Sequence, residues 1–177
     1  FYSCMECNYS VFLLMGCAVS IDTKKVQGHR DLSYQSLDDL SVDAMRCVEE
    51  GWVTIGNWSV GQIYHHLSVA LHASIDGFGF KAFWPKRLIA RTFLKKKFLT
   101  QSHPRGVRIP SKMKRLEPTD MPVDDALAQL TSAIERFQTN PKRAPHPLLG
   151  QLTKEESDQF QLRHAELHMG FIVPARQ

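Results

Sequence analysis

Apolar side chains recur at intervals of three and four residues in several segments of this chain, which is the spacing of an amphipathic α-helix. The clearest segment follows Pro122, where the apolar positions are Val123, Leu127, Leu130, Ile134 and Phe137. By contrast, β-branched residues are scattered, and no alternating apolar and polar run persists over four positions. The pattern therefore predicts an all-α fold.

Start and stop signals divide the chain into four long helices. Ser59 with Gln62, and Thr153 with Glu156, form capping boxes in which each side chain satisfies the other residue's backbone N–H. The first, second and fourth predicted helices begin after Ser36, Ser59 and Thr153, and the third has Pro122 in its first turn. Gly51 ends the first, the second and fourth run to about Asp76 and Ile172, and the segment that starts at Thr139 breaks the third. A short helix is expected at Pro85 to Leu99, followed by a segment with too much Pro and Gly for regular structure. Together these elements predict a four-helix bundle with a long crossover between helices two and three.

Length and composition indicate one globular domain with a short prefix. The chain has 177 residues, of which 43% are hydrophobic and 23% charged. We expect a leader at residues 1–25 and a domain at residues 26–177. Three of the four cysteines lie in the leader, so the domain has neither a disulfide framework nor a cysteine-rich zinc motif.

The leader contains an apolar run, Ser10 to Ser20, of the length found in signal peptides. Nothing basic precedes the run, and it is too short to span a membrane, so a disordered leader or a misassigned start competes with an export signal. We expect a cytoplasmic protein, with export through this segment as the alternative.

The middle of the chain is strongly basic. Between Gly77 and Leu116 there are 12 Lys or Arg residues and no Asp or Glu, whereas the rest of the chain is acidic. This block could face an anionic membrane surface, an anionic cosubstrate or nucleic acid, of which nucleic acid is the least expected partner. The alternative is a solvated helix face. If Lys95, Lys96 and Lys97 steer an anionic substrate, neutralising them should raise its KM.

Three histidines fall on the apolar stripes of two predicted helices. His164 and His168 share a stripe with Phe160 and Leu167, and His66 lies on the stripe of helix two, so all three are predicted to face the core. His65 and His72 fall on a different face of helix two. His103 and His146 precede prolines in loops, which explains them as turn residues and leaves them outside the site.

Histidines four residues apart on a helix can reach one cation, and a third from a facing helix completes a set with open coordination positions. The competing interpretation is that each is a hydrogen-bonded core residue, because the bare H-x-x-x-H pattern is weak. Three imidazoles buried without a common partner would cost several kcal/mol, about 1–3 for each unsatisfied group. The convergence therefore favours a divalent metal on His66, His164 and His168.

Two stretches carry a family resemblance. The first, "GNWSVGQIYHHL", has a Trp before a capped helix, and the second is "HPLLGQLTKEESDQFQLRHAELHMGFI". Over about Val26 to Pro174 the chain resembles the DinB-like superfamily of small helical-bundle metalloproteins, and in particular a bacterial branch that is a domain of unknown function. The resemblance implies an up-down-down-up bundle and a divalent metal such as Zn or Ni. Its three ligand positions correspond to His66, His164 and His168.

Characterised members of that superfamily include maleylpyruvate isomerases and thiol-S-transferases that use bacillithiol, mycothiol or glutathione. The resemblance thus implies a metal-dependent transferase with a low-molecular-weight thiol, although metal-activated water is an equal chemical option. The alternatives are a non-catalytic metal- or ligand-binding bundle and a basic surface module. The expected partner is a small, anionic substrate, and a homodimer is compatible with a bundle of this size. Glu166 should face away from the metal, and neither it nor Asp158 can be assigned as the group that orients a ligand.

Overall fold

A computed structural model gives the fold of this chain and describes residues 20–107, 109 and 111–175. The described chain is mostly helical with one small sheet. The elements in chain order are α1 (Leu37–Glu49), β1 (Val53–Thr54), α2 (Val60–Asp76), α3 (Trp84–Ile89), a π-helix (Ala90–Leu94), α4 (Lys95–Thr100), a 3₁₀-helix (Ser111–Leu116), α5 (Val123–Thr139), α6 (Lys154–Met169) and β2 (Ile172–Val173). Most of the predicted leader lies outside the described residues, and the predicted domain boundary stays a prediction.

The four long helices begin where the sequence signals placed them. Both predicted capping boxes form, at Ser59 with Gln62 and at Thr153 with Glu156. Ser36 caps α1 through a third box, because its hydroxyl accepts from the backbone N–H of Asp39 and the Asp39 carboxylate accepts from the backbone N–H of Ser36.

The prediction that the last helix runs to about Ile172 was wrong by three residues. The helix α6 ends at Met169, and the chain then pairs antiparallel with the strand after α1, Ile172 opposite Thr54. The predicted absence of β structure was therefore also too strict. One more backbone hydrogen bond joins the two segments, because the Ile55 N–H donates to the carbonyl of Phe171 at 3.0 Å.

The connection between α2 and α5 contains more regular structure than predicted. The short helix predicted at Pro85 to Leu99 is confirmed as a helical stretch that passes from α3 through the π-helix into α4. A 3₁₀-helix, Ser111–Leu116, then occupies part of the segment predicted to be irregular. Short 3₁₀ turns tolerate sequences that cannot sustain a long α-helix, which is why the Pro and Gly content misled the prediction.

One hydrophobic core joins the four long helices. The helix α2 packs along α5, and α1 packs against both α5 and α6. Tyr64 of α2, Phe137 of α5 and Met169 of α6 are fully buried within this core. A separate cluster of Ala90, Leu149 and Leu152 packs against Phe98 of α4 and Phe160 of α6.

Buried polar contacts fix the segment before α1. Arg30 donates to both carboxylate oxygens of Asp43, at 3.0 and 2.8 Å, and the Tyr34 hydroxyl donates to the same carboxylate at 2.5 Å. Because a buried charge is tolerated only when it is paired, this network holds the incoming chain against α1. Among the residues that the structure describes, no helix has the length and apolarity needed to cross a membrane.

Candidate metal centre

Three imidazoles meet where α2 faces α6. The His164 Nε2 lies 3.3 Å from the His66 Nε2 and 3.0 Å from the His168 Nε2. One ring nitrogen from each residue lies within 4.8 Å of the other two. His164 and His168 stand one helical turn apart on α6, so their rings project to the same side, and His66 approaches from the neighbouring helix. This group can hold a metal ion.

A backbone carbonyl orients the first of these rings. The His66 Nδ1–H donates to the carbonyl oxygen of Leu116 at 2.6 Å. A neutral imidazole carries one N–H, so this bond leaves the His66 Nε2 with its lone pair directed at the other two histidines. A carbonyl that fixes the tautomer of a ligating histidine is a common feature of metal sites, and here it is supplied by the end of the 3₁₀-helix.

The hydrogen-bonding capacity of the three rings does not balance without a further partner. Since the His66 Nε2 has no proton, the His164 Nε2 could donate to His66 or to His168, but not to both. If it donates to neither, its proton is on Nδ1, a buried atom that has no hydrogen-bond partner within the described chain. A cation shared by the three Nε2 atoms would satisfy every lone pair at the centre, so the donor set fits a metal ion, although the His164 Nδ1–H then keeps no partner among the described residues.

Burial keeps the three rings in the form that binds metal. Desolvation lowers the pKa of His66 to about 4 and holds the pKa values of His164 and His168 well below their usual range. The repulsion between neighbouring imidazolium charges lowers the two pKa values on α6 further. All three rings are therefore neutral near pH 7, and no proton has to be removed before a metal binds.

Trp58 forms one wall of the centre. Its ring stacks on His168 with the centroids 5.2 Å apart and the planes at 10°, and it also contacts His66 at 4.9 Å. Trp58 directly precedes the Ser59 cap of α2, which fixes its position relative to the first turns of that helix. In the sequence, Trp58 contributed only to the family resemblance and was not predicted to lie at the site.

The centre opens into a cavity of about 970 Å³. This explains a difference from the prediction that His164 and His168 face the core. The most buried face of α6 carries Leu162, Ala165 and Met169 instead, whereas the two histidines line the cavity and are only half-buried. The apolar stripe on which they were predicted thus faces this cavity, which leaves room for a ligand beside an ion that the three histidines could hold.

His103 and His146, which were excluded as turn residues, lie in the wall of the same cavity. Both contact Phe160, with ring centroids 4.6 and 4.5 Å from it, and His103 stacks on His164 at 5.8 Å. Their positions before prolines do fit extended turn geometry. They are not among the three histidines that could hold a metal ion, but the two loops fold back over the amino-terminal half of α6 and bring them into the cavity wall, which no local signal in the sequence indicates.

The two additional histidines present opposite hydrogen-bonding groups. His103 donates from Nε2 to the carbonyl of Phe98 at 3.1 Å, so its Nδ1 is an acceptor. His146 accepts at Nδ1 from the backbone N–H groups of Leu148 and Leu149, so its proton is on Nε2. Neither remaining nitrogen has a partner among the residues described. A ligand in the cavity would therefore meet one acceptor and one donor next to Phe160.

The acidic residues of α6 have partners of their own. Glu166 is buried, accepts from the Tyr34 N–H at 2.7 Å and pairs with Arg163 at 2.7 Å. Asp158 pairs with Arg143 and Lys154. Neither carboxylate contacts the three histidines, and among the described residues the Leu116 carbonyl is the hydrogen-bond acceptor that orients a ring at this centre.

The remaining histidines of α2 have separate contacts. The His65 Nδ1 accepts from the Thr119 N–H at 3.1 Å, and the His72 Nδ1 contacts Arg136 at 2.9 Å. Neither is among the residues that line the cavity.

The basic block contributes little charge to the cavity. Lys95 pairs with Glu156 at 2.6 Å, while Lys96 and Lys97 are exposed. Of the described lining residues, the charged ones are Asp22, Lys24 and Glu117. The expected steering of a substrate by the three lysines therefore has no direct contact to support it.

Comparison with known proteins gives a family without a known activity. Residues 26–175 match the family described as "Protein of unknown function (DUF1569)". No curated protein and no solved structure matches the chain. Because the matched segment covers most of its length, this chain belongs to the DUF1569 family.

Proposed function

We propose that this chain is a divalent-metal protein with a DinB-like four-helix bundle, in which His66, His164 and His168 hold the ion. We further propose that it is a metal-dependent transferase that uses a low-molecular-weight thiol. The observation that carries the proposal is that the Nε2 atoms of His66 and His168 both lie within 3.3 Å of the His164 Nε2, in the wall of a large cavity.

The packing of the long helices supports the bundle. Residues of α1, α2, α5 and α6 share one core, and the crossover expected between the second and third long helices corresponds to residues 77–122. Three protein ligands leave at least one coordination position for another molecule, which is the arrangement of catalytic rather than structural sites. The donor set suits Zn, Ni or a similar ion, and availability would decide among them.

The cavity supports a small-molecule substrate. About 970 Å³ is near the upper end of the range for pockets that enclose a drug-sized ligand. The lining is largely apolar and aromatic, with Phe78, Phe98 and Phe171 around the histidines. A substrate with an apolar body and one or two polar groups would therefore fit, and Lys24 is the one described lining residue that would favour an anionic group.

The metal, when bound, would supply Lewis acidity that lowers the pKa of a coordinated thiol or water and so makes it nucleophilic near neutral pH. In a transfer the thiol would release its proton to solvent, its sulfur would bond to an electrophilic carbon, and the leaving group would depart with the electron pair of the broken bond. His66, His164 and His168 would hold the ion and so fix the position of the thiol that it binds. The His146 Nε2–H and the His103 Nδ1 would orient polar groups of the substrate.

Thiol-dependent turnover tests the proposal. Protein loaded with Zn²⁺ or Ni²⁺ is incubated with glutathione, bacillithiol or mycothiol and the electrophile monochlorobimane, and the fluorescent thioether is measured. We expect turnover that a chelator abolishes, that His168→Ala reduces at least about 100-fold because a ligand is lost, and that His72→Ala leaves unchanged. His72 is the matched control, because it lies on α2 outside the cavity.

Two outcomes would contradict the enzyme proposal. Turnover that survives both chelation and His168→Ala would place the chemistry elsewhere. The second outcome is that the three histidines bind metal but the protein turns over none of the thiols and hydrolyses no ester. The chain would then be a metal-binding protein and not a transferase.

A further inference from the structure

The helical stretch from α3 to α4 exposes an unusual amount of apolar surface. Five large side chains, which we call the outer face, are 56–75% exposed: Phe83, Trp84, Leu88, Ile89 and Phe93. Single exposed apolar residues are ordinary on a protein surface, but these lie within eleven consecutive positions. The concentration indicates a surface that is covered in use.

The opposite side of the same stretch packs against the protein. Ala90 is buried with Leu149 and Leu152, and the Phe98 ring lies 6.4 Å from that of Phe160. The Lys95 ion pair with Glu156 adds a polar contact to α6. The stretch is thus held in place by one side, and the outer face is presented to solvent by a fixed scaffold. Trp84 and Leu88, like Ile89 and Phe93, are four residues apart, so each pair lies along one line of the helix.

Four exposed cations lie on the same helical stretch as the outer face. Lys86, Arg91, Lys96 and Lys97 are exposed, and none forms an ion pair with a described carboxylate. No Asp or Glu occurs between Gly77 and Leu116, so no acidic residue of this block offsets them. Exposed aromatic and aliphatic groups flanked by lysine and arginine are the features of a segment that lies in a membrane interface.

We propose that the outer face and its flanking cations bind the surface of an anionic lipid bilayer. The aromatic and aliphatic side chains would enter the boundary between headgroups and acyl chains, and the cations would meet lipid phosphates. Trp84 is suited to this boundary because an indole has an apolar body and a polar N–H. The inference concerns peripheral binding and is independent of the proposed metal and its chemistry.

The composition of the face argues against two other occupants. Nucleic acid would use the cations and could stack on Trp84 or Phe93, but it offers nothing for the exposed Leu88 and Ile89 side chains. A second copy of the chain, docked through the same face by a two-fold axis, would bring the cationic blocks against each other. An anionic bilayer matches both the apolar and the charged groups.

Vesicle flotation tests the proposal with the full chain. We expect the protein to float with vesicles of phosphatidylglycerol and phosphatidylcholine, to float much less with phosphatidylcholine alone, and to be released by high salt. Equal flotation with both kinds of vesicle would contradict the electrostatic part of the proposal, and flotation with neither would overturn it.

Matched variants locate the binding surface. Each cation near an anionic bilayer contributes about fivefold to partitioning, so Lys96→Gln with Lys97→Gln should weaken binding about 25-fold. Lys25→Gln with Lys142→Gln removes the same charge from other exposed positions and should leave binding within about twofold. If both double variants lose vesicle binding equally, the binding depends only on the net charge of the protein, and the assignment of the outer face as the binding surface is overturned.

A second pair of variants tests the apolar contribution. Trp84→Ser with Phe93→Ser should abolish most flotation, whereas Val42→Ser with Met45→Ser, exposed on α1, should not. Circular dichroism would establish that the two lysine double variants and the two apolar double variants are folded. Retention of flotation by the Trp84 and Phe93 variant, combined with Lys96- and Lys97-dependent binding to duplex DNA, would show a nucleic-acid surface instead. Self-association that the same variant abolishes would show an interface between copies.

Discussion

Individual imidazoles at the cavity are distinguished by their backbone partners. The Leu116 carbonyl sets the tautomer of His66, the Phe98 carbonyl sets that of His103, and two N–H groups set that of His146. Identical side chains thereby become a candidate metal ligand, an acceptor and a donor. This division cannot be read from the sequence, because each partner belongs to a backbone position that only the folded chain brings near.

Burial of His146 predicts a loss of stability in acid. Desolvation and, to a smaller extent, repulsion from the neighbouring His103 lower the pKa of His146 to about 4. Between about pH 6.5 and pH 4 the unfolded chain binds a proton at this position that the folded chain does not, so stability falls as the pH falls through that window. The full effect, about 3 kcal/mol for one such group, is reached near pH 4, and none of it is present at pH 7.

Urea unfolding of the metal-free protein at several pH values measures this effect. In His146→Asn the side-chain oxygen can still accept from the Leu148 and Leu149 N–H groups but does not titrate. The free energy of unfolding should therefore fall less steeply in the variant than in the wild type between pH 6.5 and 4. Parallel curves for the two proteins would show that His146 is not buried as a neutral group.

At the scale of elements, local sequence signals predicted where the long helices begin, whereas tertiary contacts determine where the last helix ends. Capping boxes and apolar spacing located the starts of the long helices, because those interactions span only three or four residues. The end of α6 was missed because the pairing of Ile172 with Thr54 joins residues that are distant in sequence. The 3₁₀-helix was missed for a similar reason, since its place depends on contact with α2.

The cap of α2 should contribute measurably to stability. The Ser59 hydroxyl accepts from the Gln62 N–H at 3.1 Å, and the Gln62 side chain accepts from the Ser59 N–H at 2.9 Å. Ser59→Ala removes one side of this box and should lower the free energy of unfolding by about 1 kcal/mol. Ser132→Ala, at an exposed position inside α5, is the control and should be neutral or slightly stabilising. An equal effect of the two substitutions on urea unfolding would show that the cap is not formed.

At the scale of the molecule, the site combines segments that the sequence keeps far apart. The apolar stripes selected His66, His164 and His168 without knowledge of their contacts, and the family resemblance pointed to the same three. The cavity itself, and the inclusion of His103 and His146 in its wall, depend on how the long connection and the turn before α6 fold over the helices. Helical periodicity carries no information about such loops.

Metal content measured on the whole chain tests the central claim most directly. After purification, equilibration with excess Zn²⁺ or Ni²⁺ and removal of free metal, elemental analysis should find about one ion per chain, as expected for a single three-histidine site. His164→Ala should lose the ion, because His164 contacts both other ligands, and His168→Gln should lose it with less change in volume. His72→Ala, on α2 outside the cavity, should keep it. An absence of bound metal in the wild type, or an undiminished ion in folded His164→Ala and His168→Gln proteins, would contradict the claim.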